Sequence, residues 1–166
     1  MKIYLFLFLA FGLLIFGCIS PNDVDSGQSI TYYDLKFTVS DMEIRTCDPG
    51  PGGQVTTYLV FHLQAENTAK IEMYASTYSF FSVKDPLGYE YDCGLLPFPV
   101  VSEGACLTAE ENAYVDGKLS PGSKKEGDVW VEIGTGTEYT PGTWQVIYAA
   151  PTFDEDVLHT WSQKIE

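Results

Sequence analysis

The run Val55 to Glu66 places the tightest constraint on the fold. Val55, Thr57, Leu59, Phe61, Leu63 and Ala65 alternate with Thr56, Tyr58, His62, Gln64 and Glu66. A period of two puts successive side chains on opposite faces of an extended chain, so this segment reads as a strand with one buried face. Cys47-Asp48-Pro49-Gly50-Pro51-Gly52-Gly53 precedes it, and Glu66-Asn67-Thr68 follows it. Proline cannot donate to a ladder and Gly/Asn/Asp favour turns, so both flanks end pairing. Such a strand needs partners of the same kind.

The rest of the chain supplies them. Tyr33, Leu35, Phe37 and Val39 alternate with polar residues; the phase then slips by one, with Met42 and Ile44 apolar. A one-residue slip predicts a bulge, or a strand that changes sheets at a corner. Tyr78 to Val83 ends at Asp85-Pro86-Leu87-Gly88, and Tyr89-Glu90-Tyr91 then begins a hairpin partner. Ala113, Val115 and Leu119 alternate before a turn at Ser120-Pro121-Gly122-Ser123; Val129, Val131 and Ile133, then Trp144, Val146 and Tyr148, form two further buried faces. Val157, Trp161 and Ile165 fit one side of a strand or of a short helix; the β-favouring Thr160 and Trp161 tip the choice to strand. No stretch sustains a helical period or repeats at solenoid length. Seven or eight short strands between Gly/Pro turns describe an all-β, two-sheet sandwich.

The N-terminus follows different rules. Lys2 is followed by Ile3 to Phe16, fourteen residues without charge or proline, and then Gly17-Cys18. As a helix this run spans about 21 Å, short of the roughly 30 Å hydrocarbon core of a bilayer. Leu14-Ile15-Phe16-Gly17-Cys18 resembles the lipobox of prokaryotic lipoprotein signal peptides. That resemblance implies residues 1–17 as a cleaved signal-peptide helix, lipidation of Cys18 and an address on the cell membrane, facing outside the cytoplasm. An uncleaved helix, or ordinary cleavage with Cys18 an incidental thiol, are the other readings. Residues 18–30, small and polar, read as a flexible tether, and 31–166 as the domain.

Charge narrows the partners. Residues 1–17 hold Lys2 but none of the 23 acids, so their removal takes the formal charge from −14 to −15. An excess of that sign argues against nucleic acid and against recognition of an anionic lipid surface. With Cys18 acylated, Cys47, Cys93 and Cys106 can form one disulfide and leave one thiol; three pairings are possible. Cys93–Cys106 is favoured because the two bracket a Gly/Pro-rich loop, with Cys47–Cys93 and Cys47–Cys106 as alternatives.

A second resemblance spans residues 31 to 150. It rests on Leu63-Gln64-Ala65-Glu66-Asn67, Phe80-Phe81-Ser82-Val83-Lys84-Asp85 with Gly88, and Gly117-Lys118-Leu119-Ser120-Pro121-Gly122-Ser123 leading to Gly127-Asp128-Val129-Trp130-Val131. Together these are similar to the telokin-like, immunoglobulin-like domains of prokaryotic lipoproteins and secreted antigens. The resemblance implies that Asn67 ends a strand, Asp85 and Gly88 make a hairpin turn, and Pro121-Gly122 precedes the penultimate strand. It brings a fold and a location but no agreed chemistry, and the insert with Cys93 and Cys106 departs from it.

No catalytic pattern stands out. The chain lacks a Gly-x-Ser-x-Gly elbow, Ser-x-x-Lys, Cys-x-x-Cys, and the zinc-hydrolase, Walker and Rossmann spacings. His62, on the outward phase of its strand, and His159, in an acidic tail, read as surface residues. Glu110-Glu111-Asn112 and Asp154-Glu155-Asp156 carry oxygens suited to calcium but follow no calcium-loop spacing, so solvated charge is the simpler reading. No cofactor or metal is expected. Trp130, between Val129 and Val131, should point away from the face they bury; with Tyr58 it forms a candidate contact for an envelope protein, peptide or glycan. The expectation is a binding module without catalysis; the alternatives are a purely structural envelope component and a small-ligand or calcium-binding accessory domain.

Overall fold

The computed structural model describes residues 23–48, 51–76, 80–93, 112–150 and 157–166. Within them eleven strands form: β1 (Asp23–Asp25), β2 (Ser29–Tyr32), β3 (Leu35–Cys47), β4 (Thr56–Asn67), β5 (Met73–Ala75), β6 (Phe81–Lys84), β7 (Glu90–Asp92), β8 (Gly117–Leu119), β9 (Lys124–Thr135), β10 (Gly142–Ala150) and β11 (Val157–Ile165). They build a five-stranded sheet in the order β1-β11-β10-β6-β7, a four-stranded sheet in the order β2-β3-β4-β9, and the small pair β5-β8. The expected all-β sandwich is thus what forms; the signal-peptide segment lies outside the described residues. More strands are present than the alternation foretold because β1, β2 and β5 are three or four residues each, too short to show a period.

The core lies between the two larger sheets. Leu35, Phe37 and Val39 of β3, Leu59, Phe61, Leu63 and Ala65 of β4, and Val129 and Val131 of β9 face Phe81 and Val83 of β6, Trp144, Val146 and Tyr148 of β10, and Trp161 of β11. Phe81 is an aromatic hub, its ring centroid 5.0 Å from Tyr148, 5.7 Å from Phe37 and 6.3 Å from Trp161. Edge-on, tilted and stacked contacts of this kind add to the burial of large apolar surfaces.

The phase slip in β3 is a bulge. The β3–β4 register shifts between Ser40 and Glu43, and Asp41 takes φ 54°. Gln163, from the opposite sheet, stitches it: its Oε1 accepts from the Met42 N–H at 3.1 Å and its Nε2 donates to the Met42 carbonyl at 2.8 Å. Those backbone groups would otherwise lack a ladder partner in a part-buried site.

Two side chains close the turns that the resemblance singled out. Buried Asn67 ends β4; its Nδ2 donates to the carbonyls of Ile71 and Leu119, both at 2.8 Å, and its Oδ1 accepts from the Ala69 N–H. Asp85 closes the β6–β7 hairpin, its Oδ1 accepting from the N–H groups of Leu87 and Tyr89 at 2.9 Å. The Pro121-Gly122 turn leads into β9, the penultimate strand of the span 31–150 that the resemblance covers; β11 follows beyond it.

Several expectations are corrected. Residues 23–30 are not tether: β1 pairs in parallel with β11, Asp23 opposite Thr160, and β2 pairs with β3 in the other sheet. Backbone bonds and the Trp161 Nε1–H donated to the Gln28 carbonyl at 2.9 Å hold this polar stretch, which carries no periodic signal of its own. The phase at Ala113 and Val115 is inverted, with Tyr114 buried and Val115 exposed. There Tyr114 donates its N–H to the Asp128 carbonyl, and the strap passes so close to Gly127 that a Cβ would stand 2.5 Å from the Tyr114 nitrogen. The C-terminal segment is a strand, as expected, and lies between β1 and β10.

Candidate functional site

The outward face of the four-stranded sheet gathers most of the singled-out side chains. The bulge returns Glu43, Arg45 and Cys47 to the phase of Tyr58, Val60 and His62, so β3, β4 and β9 form cross-strand rows. Arg45 stands opposite Tyr58 and Tyr58 opposite Glu132; Val60 stands opposite Trp130; Ser40 stands opposite His62 and His62 opposite Asp128.

Trp130 points outward, as its neighbours dictated, but it is not open to solvent: 8% of its surface is exposed. It forms a second apolar cluster with Cys47 and Val60, against which Tyr58 packs. The Tyr58 ring meets it edge-on at 5.8 Å, and the Arg45 guanidinium lies 5.1 Å over the indole, a cation–π contact. The expected exposed contact pair is therefore a covered tryptophan beside a half-buried tyrosine. Burial, helped by the Glu132 charge across the strand, raises the Tyr58 hydroxyl pKa.

One row further along, His62 Nδ1 lies 3.0 Å from Asp128 Oδ1. Neither is a free surface group; the pair borders a recess of about 430 Å³ lined by His62, Asn112, Ala113, Glu126, Gly127 and Asp128. The Asn112–Tyr114 strap forms its wall because Gly127 lets it approach. Two carboxylates, an imidazole and an amide in one recess suit a ligand that donates hydrogen bonds or carries positive charge. The outward phase of β4 placed His62 in the sequence; its meeting with Asp128 depends on the β4–β9 register, which no local pattern announces.

His159 is the opposite case and a correction. It is buried on β11, stacked on Tyr148 at 6.4 Å and edge-on to Tyr32 at 6.1 Å. Neither ring nitrogen has a hydrogen-bond partner among the described residues, and burial lowers its pKa.

The cysteines are also corrected. Cys93 is a free, buried thiol, so the favoured Cys93–Cys106 disulfide is not made. Its side chain belongs to the core, and burial, with Asp92 and Asp116 nearby, pushes the thiol pKa up to about 12. Cys47 is the disulfide-bonded one. Cys18 and Cys106 lie outside the described residues, as do Glu110, Glu111 and Asp154 to Asp156. Among the described residues no three His, Cys, Asp or Glu side chains are grouped to hold a metal ion.

The sequence matches no protein-family model and no curated protein at a significant level. Its fold does match solved structures. A secreted protein of Mycobacterium tuberculosis aligns with a TM-score of 0.56 and 13% identity over 87% of this chain and 99% of that one. The yjhA protein of Bacillus subtilis aligns at 0.55 and 16% over 82% and 97%. A candidate lipoprotein of Bacillus subtilis, ycdA, aligns at 0.52 and 7% over 85% of this chain, which spans only 39% of that longer one. At these identities the likeness is one of fold alone.

Proposed function

We propose that this chain is a telokin-like module, lipid-anchored at Cys18 on the outer side of the cell membrane. It acts there by binding, without catalysis. The observation that carries the location is the disulfide at Cys47, a bond that persists in oxidising compartments and is rare in the cytosol. The likeness in fold to a secreted protein and a candidate lipoprotein agrees with it.

The disulfide also bears on the anchor. With Cys93 free, the partner of Cys47 is Cys18 or Cys106. With Cys18 acylated, Cys106 is the partner that remains for Cys47. Mass spectrometry of the unreduced protein tests this: an acylated Cys18 peptide together with a Cys47–Cys106 crosslink is expected, and a Cys18–Cys47 crosslink would overturn the reading.

The binding face is the outward side of β3, β4 and β9. The recess beside His62 and Asp128 supplies polar recognition, and Tyr58, with Trp130 behind it, supplies an amphipathic border. A protein, peptide or glycan with hydrogen-bond donors or basic groups fits this chemistry. Titration with basic peptides and envelope glycan fragments, followed by NMR, should shift the His62, Asp128 and Tyr58 resonances in the wild type and lose affinity at least tenfold in Asp128→Asn. A ligand that shifts only other faces would remove this site.

A further inference from the structure

We propose that the end of the sandwich at which the chain enters rests on the bilayer, and that the Tyr33 and Ile71 loops make the contact. The inference builds on acylation of Cys18.

Chain entry sets the orientation. β1 runs parallel to β11 from Asp23 opposite Thr160, so the N-terminal end of β1 points toward the end where β11 begins. The Tyr33-Asp34 turn is at that end, since Tyr32 beside it meets His159. So is the loop after β4, whose last residue, Asn67, pairs with Leu35 at the start of β3.

Chain length sets the distance. Because β1 takes up residues that read as tether, only 19–22 separate the acylated cysteine from the sandwich. From Cys18 to Asp23 the chain reaches about 17 Å. The start of β11 at Val157 lies about 10 Å beyond the level of Thr160, inside that reach. The remainder holds this end within the headgroup layer of the membrane that carries the anchor.

The loops there are built for such a surface. Tyr33 is 73% exposed and Ile71 70%. Tyr33 and Asp34 adopt φ 43° and 64°, a two-residue turn with both positions left-handed. A bulky aromatic ring seldom takes that conformation, and strain of this kind gathers at functional sites. The Asp34 carbonyl accepts from both the N–H and the Oγ1–H of Thr68, at 2.7 and 2.8 Å. That ties the Tyr33 turn to the loop carrying Lys70 and Ile71. An amphipathic phenol, a branched alkyl chain and a flanking ammonium are the residue types that settle at a membrane–water interface. With a formal charge of −14 for the whole chain, apolar insertion rather than anionic-lipid attraction must supply the contact.

The test uses the acylated full chain in phosphatidylcholine vesicles. Nitroxides are attached singly at Tyr33→Cys, Ile71→Cys and, on the hairpin at the opposite end, Leu87→Cys; buried Cys93 stays unlabelled. The ratio of oxygen to nickel-chelate accessibility should be severalfold higher at positions 33 and 71 than at 87. In the unlabelled wild type, amide exchange at residues 33–34 and 69–72 should slow severalfold on vesicles relative to the soluble Cys18→Ser chain. Protein that floats with vesicles yet shows equal ratios and unchanged exchange would overturn the contact while leaving the anchor intact. Protein that does not float overturns the anchor and the contact with it.

Discussion

Trp161 and Trp130 are both buried, yet they sit on opposite sides of the sandwich architecture and answer to different forces. Trp161 is fully buried between the two sheets, close to Phe81, with its indole N–H satisfied by the Gln28 carbonyl. Trp130 lies on the outward face, covered by Cys47, Val60, Tyr58 and Arg45, and its indole N–H has no partner among the described residues. The inner site is closed by two sheets and fully paired. The outer one is closed by side chains of its own face, and it leaves a donor without a partner among the described residues. One side of the four-stranded sheet therefore specifies the fold; the other carries the binding face proposed above.

The largest expected effect breaks this contrast directly. Trp161→Ala should destabilise the domain by about 3–5 kcal/mol, the range for large core aromatics, measured by urea unfolding. Trp130→Ala should cost less, about 1–3 kcal/mol, because its surroundings can collapse and Arg45 can return to water. Equal losses would show that the outer cluster is a second core.

The two histidines sharpen the same contrast through pH. The His159 pKa lies below 6.5 because burial disfavours the imidazolium. Above the unfolded value of about 6.5 the ring is neutral in both states and adds no pH dependence. Below it the unfolded chain takes up the proton first, so the melting temperature should fall on acidification until the lowered folded pKa is reached. His159→Phe should flatten that part of the profile, and an unchanged slope would mean the ring is solvated. The smallest effect belongs to His62→Gln. That side chain is about a third exposed beside Asp128, and the change should alter stability by less than about 1 kcal/mol.

How much of this was legible varied with the range of the interaction involved. β4, β10 and the bulge in β3 follow from alternation and its slip, because one buried face dictates the period. Asn67 and Asp85 were marked by a resemblance that their hydrogen bonds explain: each satisfies backbone groups where a strand stops. β1 was missed because two aspartates around one valine show no period; its place is fixed by ladder bonds to β11, more than a hundred residues away. His159 was misplaced because acidic sequence neighbours said nothing about Tyr32 and Tyr148, which surround it in space. The favoured disulfide failed for a similar reason, since closeness in sequence does not orient Cys93, whose side chain turns into the core.

By itself the sequence determined that the chain is a sandwich of short strands, which faces they bury, and that a cysteine follows an apolar run. Those are local properties, set by side-chain period and backbone chemistry within a few residues. Only the tertiary structure decided that His62 meets Asp128, that Trp130 is covered, that Cys93 is free, and that Asp23 is already paired with β11. Each of these depends on register between distant strands, where a shift of one residue would turn every side chain to the other face.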